Sequence, residues 1–280
     1  MPAEPMPESM HCAVLGSPVE HSLSPVLHRA AYRQLGLDWT YDAYEVAEAE
    51  LDGFMGRLTK RWRGLSVTMP LKRAVIELCD VVEERGRMLA SVNTVVIDAG
   101  GARTGYNTDV SGFVGAFREA GVTSLDSVVV VGAGATAASA LAAASDLGAR
   151  RVTVLARSLS RAGGVASLGP ALGLHVELRE LSLPLTSLAA DAVVSTIPAD
   201  SQRPVAAALA RIAPVVFDVI YHPSRTPLTE AAAGSAGVHF IDGFSLLLHQ
   251  AARQVELMTG TARAPLQQMR EAGLTALRSR

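Results

Sequence analysis

The chain has 280 residues, 49% of them hydrophobic, enough to build one large or two ordinary domain cores. Its formal charge of −2, its isoelectric point near 6.4 and the absence of any basic run with interleaved aromatics exclude nucleic acid as an expected partner. Two cysteines, Cys12 and Cys79, outside any CxxC or Cys/His cluster, point to a reducing compartment and to no metal site, and no apolar run approaches the ~20 residues of a membrane span.

The first ten residues carry three prolines, two glutamates and no basic residue. They resemble neither a signal nor a transit peptide and read as a disordered tail, so a soluble, cytoplasmic protein is expected. An apolar strand is predicted at 11–15, ending at Gly16. Ser24 then reads as a helix N-cap, with Pro25 at the first helical position and Gly36 at the end. A strand follows at 39–46, and Leu51, Phe54, Met55 and Leu58 mark the core-facing stripe of an amphipathic helix. The strand predicted at 64–68 runs through Met69 and Pro70 into a helix reaching about Cys79. Strands at 92–98 and 102–106 flank the turn 98–101, a hairpin signal that interrupts an otherwise parallel pattern. A helix then leads from Asn107-Thr108-Asp109 to Gly121.

The stretch 127–144 reads SVVVVGAGATAASALAAA. Four consecutive valines suit a parallel strand buried on both faces, and the alanine-rich run after the glycines has strong helix propensity. Further strands are expected at 151–155, 174–178, 191–195, 214–219 and 238–241, with helical segments between most of them. Repeated βα units of this kind build a doubly wound, Rossmann-type parallel sheet by right-handed crossovers. From Gly243 the chain reads as helical to its end, with a break at Gly260, and this tail is expected to return to the first domain. The fold class is therefore α/β in two domains. A substrate-binding domain with a mainly parallel sheet spans 1–109, completed by 243–280, and a nucleotide domain spans 110–242.

Strand, glycine turn and helix in that order form a dinucleotide site. Gly132, Ala133, Gly134, Ala135, Thr136 and Ala137 give G-x-G-x-x-A, in which the backbone approaches a pyrophosphate and the helix N-terminus faces it with unpaired N–H groups. About 20 residues on, where NAD enzymes carry an acid against the ribose hydroxyl, the chain has Ala156, Arg157 and Ser158, with Arg161 one turn further. Two guanidinium groups and a hydroxyl suit a 2′-phosphate, so NADP is favoured over NAD.

The first half offers polar residues at predicted strand ends: Ser22, Ser24, Ser66, Thr68, Lys72, Asn93, Thr108 and Asp109. Together they describe a small pocket rich in hydroxyls and amides, with one ammonium and one carboxylate, suited to a polyhydroxylated substrate. His21, His28 and His249 form no metal set and read as packing residues, as do Trp39 and Trp62.

These residues fall in motifs. GSPVEHSLSPVLH at 16–28, VTMPLK at 67–72, SVNT at 91–94 and GYNTD at 105–109 resemble, in this order, the substrate, lysine, asparagine and aspartate motifs of the shikimate dehydrogenase family. DVIYHP at 218–223 with TPL at 226–228, and the stretch from Gly243 to Gln250-Ala251, extend the resemblance over nearly the whole chain. The resemblance implies NADP-dependent interconversion of shikimate and 3-dehydroshikimate in aromatic amino-acid biosynthesis, by a monomer or homodimer. It implies that Ser22, Ser24 and Tyr221 bind the substrate carboxylate and that Thr68, Asn93, Asp109 and Gln250 hold ring hydroxyls. It implies further that Lys72 and Asp109 form the catalytic pair, and that Thr196, Ile197, Val219, Gly243 and Leu246 join the glycine turn and the Ala156–Arg161 region around the cofactor.

Some positions depart from the family pattern. Ser66 stands where an asparagine is common, Ala135 replaces a glycine, Ala138 an arginine, Ala156 an asparagine and Leu246 a methionine. A lighter grip on the cofactor is the expected consequence of those in the nucleotide domain. Two other readings remain open at this stage: a quinate/shikimate dehydrogenase with relaxed substrate or NAD use, and a nucleotide-binding regulatory protein that has lost the reaction.

Overall fold

The computed structural model describes residues 9–182 and 184–279. Most of the expected N-terminal tail lies outside the described residues, and Met10 already opens the first strand. The first half of the chain forms β1 (Met10–Gly16), α1 (Ser24–Gln34), β2 (Trp39–Glu45), α2 (Leu51–Gly56), β3 (Trp62–Val67), β4 (Val81–Val82), α3 (Glu84–Met88), β5 (Thr94–Ile97) and β6 (Arg103–Tyr106). Then come α4 (Asp109–Glu119), β7 (Ser127–Val131), α5 (Ala135–Asp146), β8 (Arg151–Ala156), α6 (Leu159–Ala166) and β9 (His175–Glu180). The remainder is β10 (Ala192–Ser195), α7 (Ala199–Gln202), α8 (Ala206–Leu209), β11 (Val215–Asp218), α9 (Pro227–Ala233), β12 (His239–Ile241), α10 (Gly243–Thr259) and α11 (Leu266–Arg278).

The chain divides into two compact units. One comprises the described residues up to Thr108 together with those from Gln250 onward, and the other is Asp109–His249. The chain passes between them at the start of α4 and within α10.

The sheet of the first unit has the order β2-β1-β3-β5-β6-β4. β1 pairs in parallel with β2 and β3, and β4 with β6, whereas β5 is antiparallel to both of its neighbours. The β5–β6 hairpin closes at Asp98–Gly101, where Gly101 adopts φ +92° and its N–H donates to the Asp98 carbonyl. Leu15, Leu65 and Val95 project from central strands into a core that Leu51, Met55, Leu71 and Val75 complete. α1 and α11 pack against each other.

In the second unit every strand pair is parallel, in the order β12-β11-β10-β7-β8-β9. The chain winds outward from β7 through β8 to β9, then restarts on the other side of β7 and winds through β10 to β12. This reversal is the topological switch point of a doubly wound sheet, and ligands bind outside the strand carboxyl ends there. Val128, Val129, Val130 and Val131 are all buried, as an unalternating run requires of a central strand.

Local differences from the sequence reading have physical causes. Helix α1 begins one residue earlier than expected: Leu23 is its N-cap, without a side-chain cap, and Ser24 is its first residue. The Ser24 side chain is instead buried beside the Tyr41 phenol, a tertiary contact that overrides capping propensity. The helix expected to reach Cys79 is a tight 3-10 segment at Ala74–Leu78. Its β-branched Val75 and Ile76 suit a long α-helix poorly, and Asp80 must emerge extended to bond the Arg103 carbonyl and deliver β4 to β6. α2 stops at Gly56, so Leu58 packs against the core from the following loop.

Candidate functional site

In the second unit the glycine turn leaves β7 at the switch point. Gly132 has φ +112°, in the left-handed region that glycine tolerates, and a Cβ there would collide with Thr196 Oγ1. Thr196 in turn is tied to the turn: its N–H and its hydroxyl both donate to the Val131 carbonyl at 2.8 Å. Gly134 is the N-cap of the twelve-residue α5, with no side-chain cap and open space where its Cβ would be. The first amides of α5, from Ala135, Thr136 and Ala137, therefore have no capping side chain as acceptor, and Ala137 is buried at the close-packed position.

The neighbouring strand β8 ends at Ala156, so no carboxylate occupies its carboxyl end. Arg157 and Arg161 are exposed there, and Ser158 is the N-cap of α6 with its hydroxyl 3.1 Å from that of Ser160. Ile197 is buried at the end of β10. At β11, the Val219 N–H donates to the Ser195 carbonyl, and Gly243 opens α10 so close to the strand's exit that a Cβ would strike the Val219 carbonyl oxygen and Ile220 backbone. Leu246 is buried one turn along α10. A tight glycine cradle, uncapped helix amides and paired arginines at the adjacent strand end fit a dinucleotide phosphorylated on its adenosine ribose.

In the first unit the carboxyl ends of parallel β1 and β3 lie side by side. Thr68 N–H donates to the Leu15 carbonyl and Ser17 N–H to the Met69 carbonyl, and Gly16 lies against Thr68 so closely that a Cβ would overlap the threonine methyl. The loop carrying Ser22 and the turn carrying Thr68 and Lys72 are thereby joined. Ser22 Oγ accepts from the Ser24 amide at 3.2 Å. The Lys72 carbonyl accepts from Val92 N–H at 2.9 Å, which sets the lysine beside the Asn93 segment.

Asn93 is engaged at both ends of its side-chain amide. Its Oδ1 accepts from Thr108 N–H at 2.8 Å, from Thr94 Oγ1 at 2.9 Å and from Thr108 Oγ1 at 3.0 Å. Its amide nitrogen faces Gln250 Oε1 at 3.5 Å. Behind it lies a buried polar array. Tyr41 donates to Ser66 Oγ at 2.5 Å, Ser66 donates to Gln254 Oε1 at 2.8 Å, and the ring of His28 stacks on Tyr41 with centroids 4.0 Å apart. Burial pushes the His28 pKa down to about 3, so the imidazole is neutral.

Ser22, Ser24, Thr68, Lys72, Asn93 and Gln250 thus belong to the first unit, and the cofactor candidates to the second. Asp109, buried at the first position of α4, and Tyr221, half-buried after β11, also belong to the second. Among the described residues no cluster of His, Cys, Asp or Glu could hold a metal, and no helix is long and apolar enough to cross a membrane.

Two family models match the chain: the shikimate dehydrogenase substrate binding domain over residues 14–95, and the shikimate 5'-dehydrogenase C-terminal domain over residues 243–272. A shikimate dehydrogenase (NADP(+)) from Methanopyrus kandleri is 36% identical over 95% of each chain. The chain belongs to the shikimate dehydrogenase family. The crystal structure of a shikimate 5-dehydrogenase from Mycobacterium fortuitum shares 42% identity and a TM-score of 0.86, covering 96% of this chain and 99% of that one. A quinate dehydrogenase from Corynebacterium glutamicum in complex with NAD shares 31% identity and a TM-score of 0.83, covering 95% and 99%. Family membership accounts for the two units: an α/β substrate-binding half and a Rossmann-type half.

Sequence reasoning missed Gln254 and left Thr94 unremarked, although both touch the Asn93 array. Gln254 stands four residues after Gln250, on the same face of α10, and that spacing was the available signal. It also missed the buried cluster of Asp218, Gln202 and Thr226: Gln202, 16 residues before Asp218, joins it only through the fold.

Proposed function

We propose that this chain is an NADP-dependent oxidoreductase that interconverts shikimate and 3-dehydroshikimate in the cytoplasm. The observation that carries the reading is the convergence in one unit of Ser22, Thr68, Lys72, Asn93 and Gln250 around parallel strand ends. These are the hydroxyl, amide and ammonium groups that a polyhydroxylated ring needs. Residues 1–109 with 243–280 serve the substrate, and 110–242 the cofactor.

The roles follow from chemistry. Ser22 and Ser24, at the positive end of α1, bind the substrate carboxylate together with Tyr221. Thr68, Asn93, Asp109 and Gln250 hold the ring hydroxyls. The residues around Gly132–Ala137 hold the pyrophosphate, Arg157, Ser158 and Arg161 hold the 2′-phosphate, and Thr196, Ile197, Val219, Gly243 and Leu246 surround the nicotinamide end. NADP supplies the hydride acceptor for oxidation of the carbinol carbon. Lys72 handles the proton: in the reductive direction its ammonium donates to the carbonyl oxygen of 3-dehydroshikimate, and Asp109 polarises the pair.

Initial rates of NADP reduction with shikimate, repeated with quinate and with NAD, test the proposal. Shikimate with NADP is expected to give the highest kcat/KM. Preference for quinate with NAD, the pair suggested by the solved quinate dehydrogenase, would replace it by the second reading. No turnover with either acid would remove both.

A further inference from the structure

Gln254 is buried in α10, one helical turn beyond Gln250, and its side-chain amide is engaged at both ends. Nε2 lies 3.3 Å from the Asn93 carbonyl oxygen and 3.0 Å from Thr94 Oγ1. A backbone carbonyl only accepts, so the group facing it is the amide nitrogen. Oε1 therefore faces the other way, where it accepts from Ser66 Oγ at 2.8 Å and from His28 Nε2 at 3.1 Å. His28 carries its proton on Nε2, and its Nδ1 accepts from the Tyr32 phenol at 3.3 Å.

Thr94 Oγ1 receives the Gln254 amide and, with Thr108 Oγ1 3.0 Å away, keeps one proton that reaches Asn93 Oδ1 at 2.9 Å. That oxygen also receives the Thr108 N–H, which only donates. With Oδ1 held by these donors, the Asn93 amide nitrogen is turned to the Gln250 side, as a donor. Gln254 thus joins four segments that carry substrate candidates: α1 through His28, β3 through Ser66, β5 through Thr94, and α10 itself.

We propose that Gln254 is a positioning residue for substrate binding, fixing Asn93 through Thr94 as a hydrogen-bond donor to a ring oxygen and holding Gln250 in register with it. The inference rests on the reading of Asn93 and Gln250 as substrate residues. It also gives Ser66 a role: this buried serine donates to Gln254 Oε1 and so holds the amide in that orientation.

The test compares Gln254→Met, which keeps length and volume, with Thr94→Val, which removes only the relaying hydroxyl, each alone and in an Asn93→Ala background. The Michaelis constants for shikimate and for NADP are measured, with a thermal midpoint for each variant. Losing a hydrogen-bonded link to a binding group is expected to raise the shikimate KM about tenfold in both single variants, with the NADP KM within about twofold. In the Asn93→Ala background the same substitutions should change the shikimate KM less than about twofold, because the group they position is gone. If Gln254→Met does not fold, Thr94→Val carries the comparison. Additive losses in the Asn93→Ala background, equal losses for both substrates, or a lowered midpoint with unchanged shikimate KM would overturn the inference. An unaltered chain inactive on shikimate would overturn the functional reading, and the inference with it.

Discussion

Thr226 donates its hydroxyl to Asp218 Oδ2 at 2.7 Å, and Thr226 Oγ1 itself accepts from Thr229 N–H to cap α9. Asp218, fully buried at the end of β11, also receives Gln202 Nε2 on both oxygens, at 3.0 and 2.9 Å, and the Ile220 amide at 3.3 Å. This cluster pins the backbone that leads to Tyr221. Thr226→Val removes one donor and the cap together and should lower stability by about 1–3 kcal/mol, read from urea unfolding.

Asp218 should also leave a signature in the pH dependence of stability. Burial raises its pKa above the ordinary carboxylate value, although Thr226, Gln202 and Ile220 pull it back. A carboxyl whose folded pKa lies above its unfolded value binds the proton more tightly when folded. Its contribution is therefore present at low pH and lost as the pH rises through the folded pKa. The unaltered chain should gain stability relative to Asp218→Asn as the pH falls from 7 towards 4.5, and a difference that stays flat or shrinks would show that the bonds to the carboxylate outweigh its burial.

His28 has the opposite sign. Its folded pKa, about 3, lies below the ordinary histidine value of about 6.5, so the native state holds the imidazole neutral while the unfolded chain takes up a proton. The stabilisation is complete above the unfolded pKa and is lost as the pH falls towards the folded one, at about 1.4 kcal/mol per pH unit. His28→Gln retains a donor for Gln254 Oε1 and should flatten the acid limb of the stability curve between pH 6 and 4. An unchanged slope would mean that other groups dominate acid unfolding.

The elements that could be read from the chain were those whose pattern is local. The valine run of β7, the glycines after it and the regular βα alternation identify the second sheet without tertiary information, and Arg157 and Arg161 follow from their distance to those glycines. The two-residue β4 is too short to carry any pattern, and it exists because β6 pairs with it. Ser24 was misplaced by one residue because a buried tyrosine competes with capping. Gln254 escaped notice because a glutamine in an amphipathic helix ordinarily faces solvent, and only the approach of Ser66, His28 and Thr94 makes it a buried hub.

The exposed arginines at the end of β8 make the cofactor preference testable. A charge-assisted hydrogen bond contributes about 1.5–3 kcal/mol, so Arg157→Ala and Arg161→Ala should each raise the NADP KM by about ten- to a hundredfold, with a smaller effect on the KM for NAD. Equal losses for both nucleotides would show that the guanidinium groups do not read the 2′-phosphate.

Lys72 is the decisive residue for the proposed reaction. Its turn is held at Thr68 by the Leu15 carbonyl, and its own carbonyl is held by Val92 N–H, so the backbone should survive substitution of the side chain. A group that transfers a proton in the transition state contributes about 10²–10⁴ to turnover, whereas a group that only binds changes KM. Lys72→Ala should therefore lower kcat by at least about a hundredfold with a modest change in shikimate KM. Lys72→Arg keeps the charge but cannot release a proton at neutral pH, and it should remain equally impaired. Recovery of near-normal turnover in Lys72→Arg would show that Lys72 acts by charge alone and that the proton travels by another group.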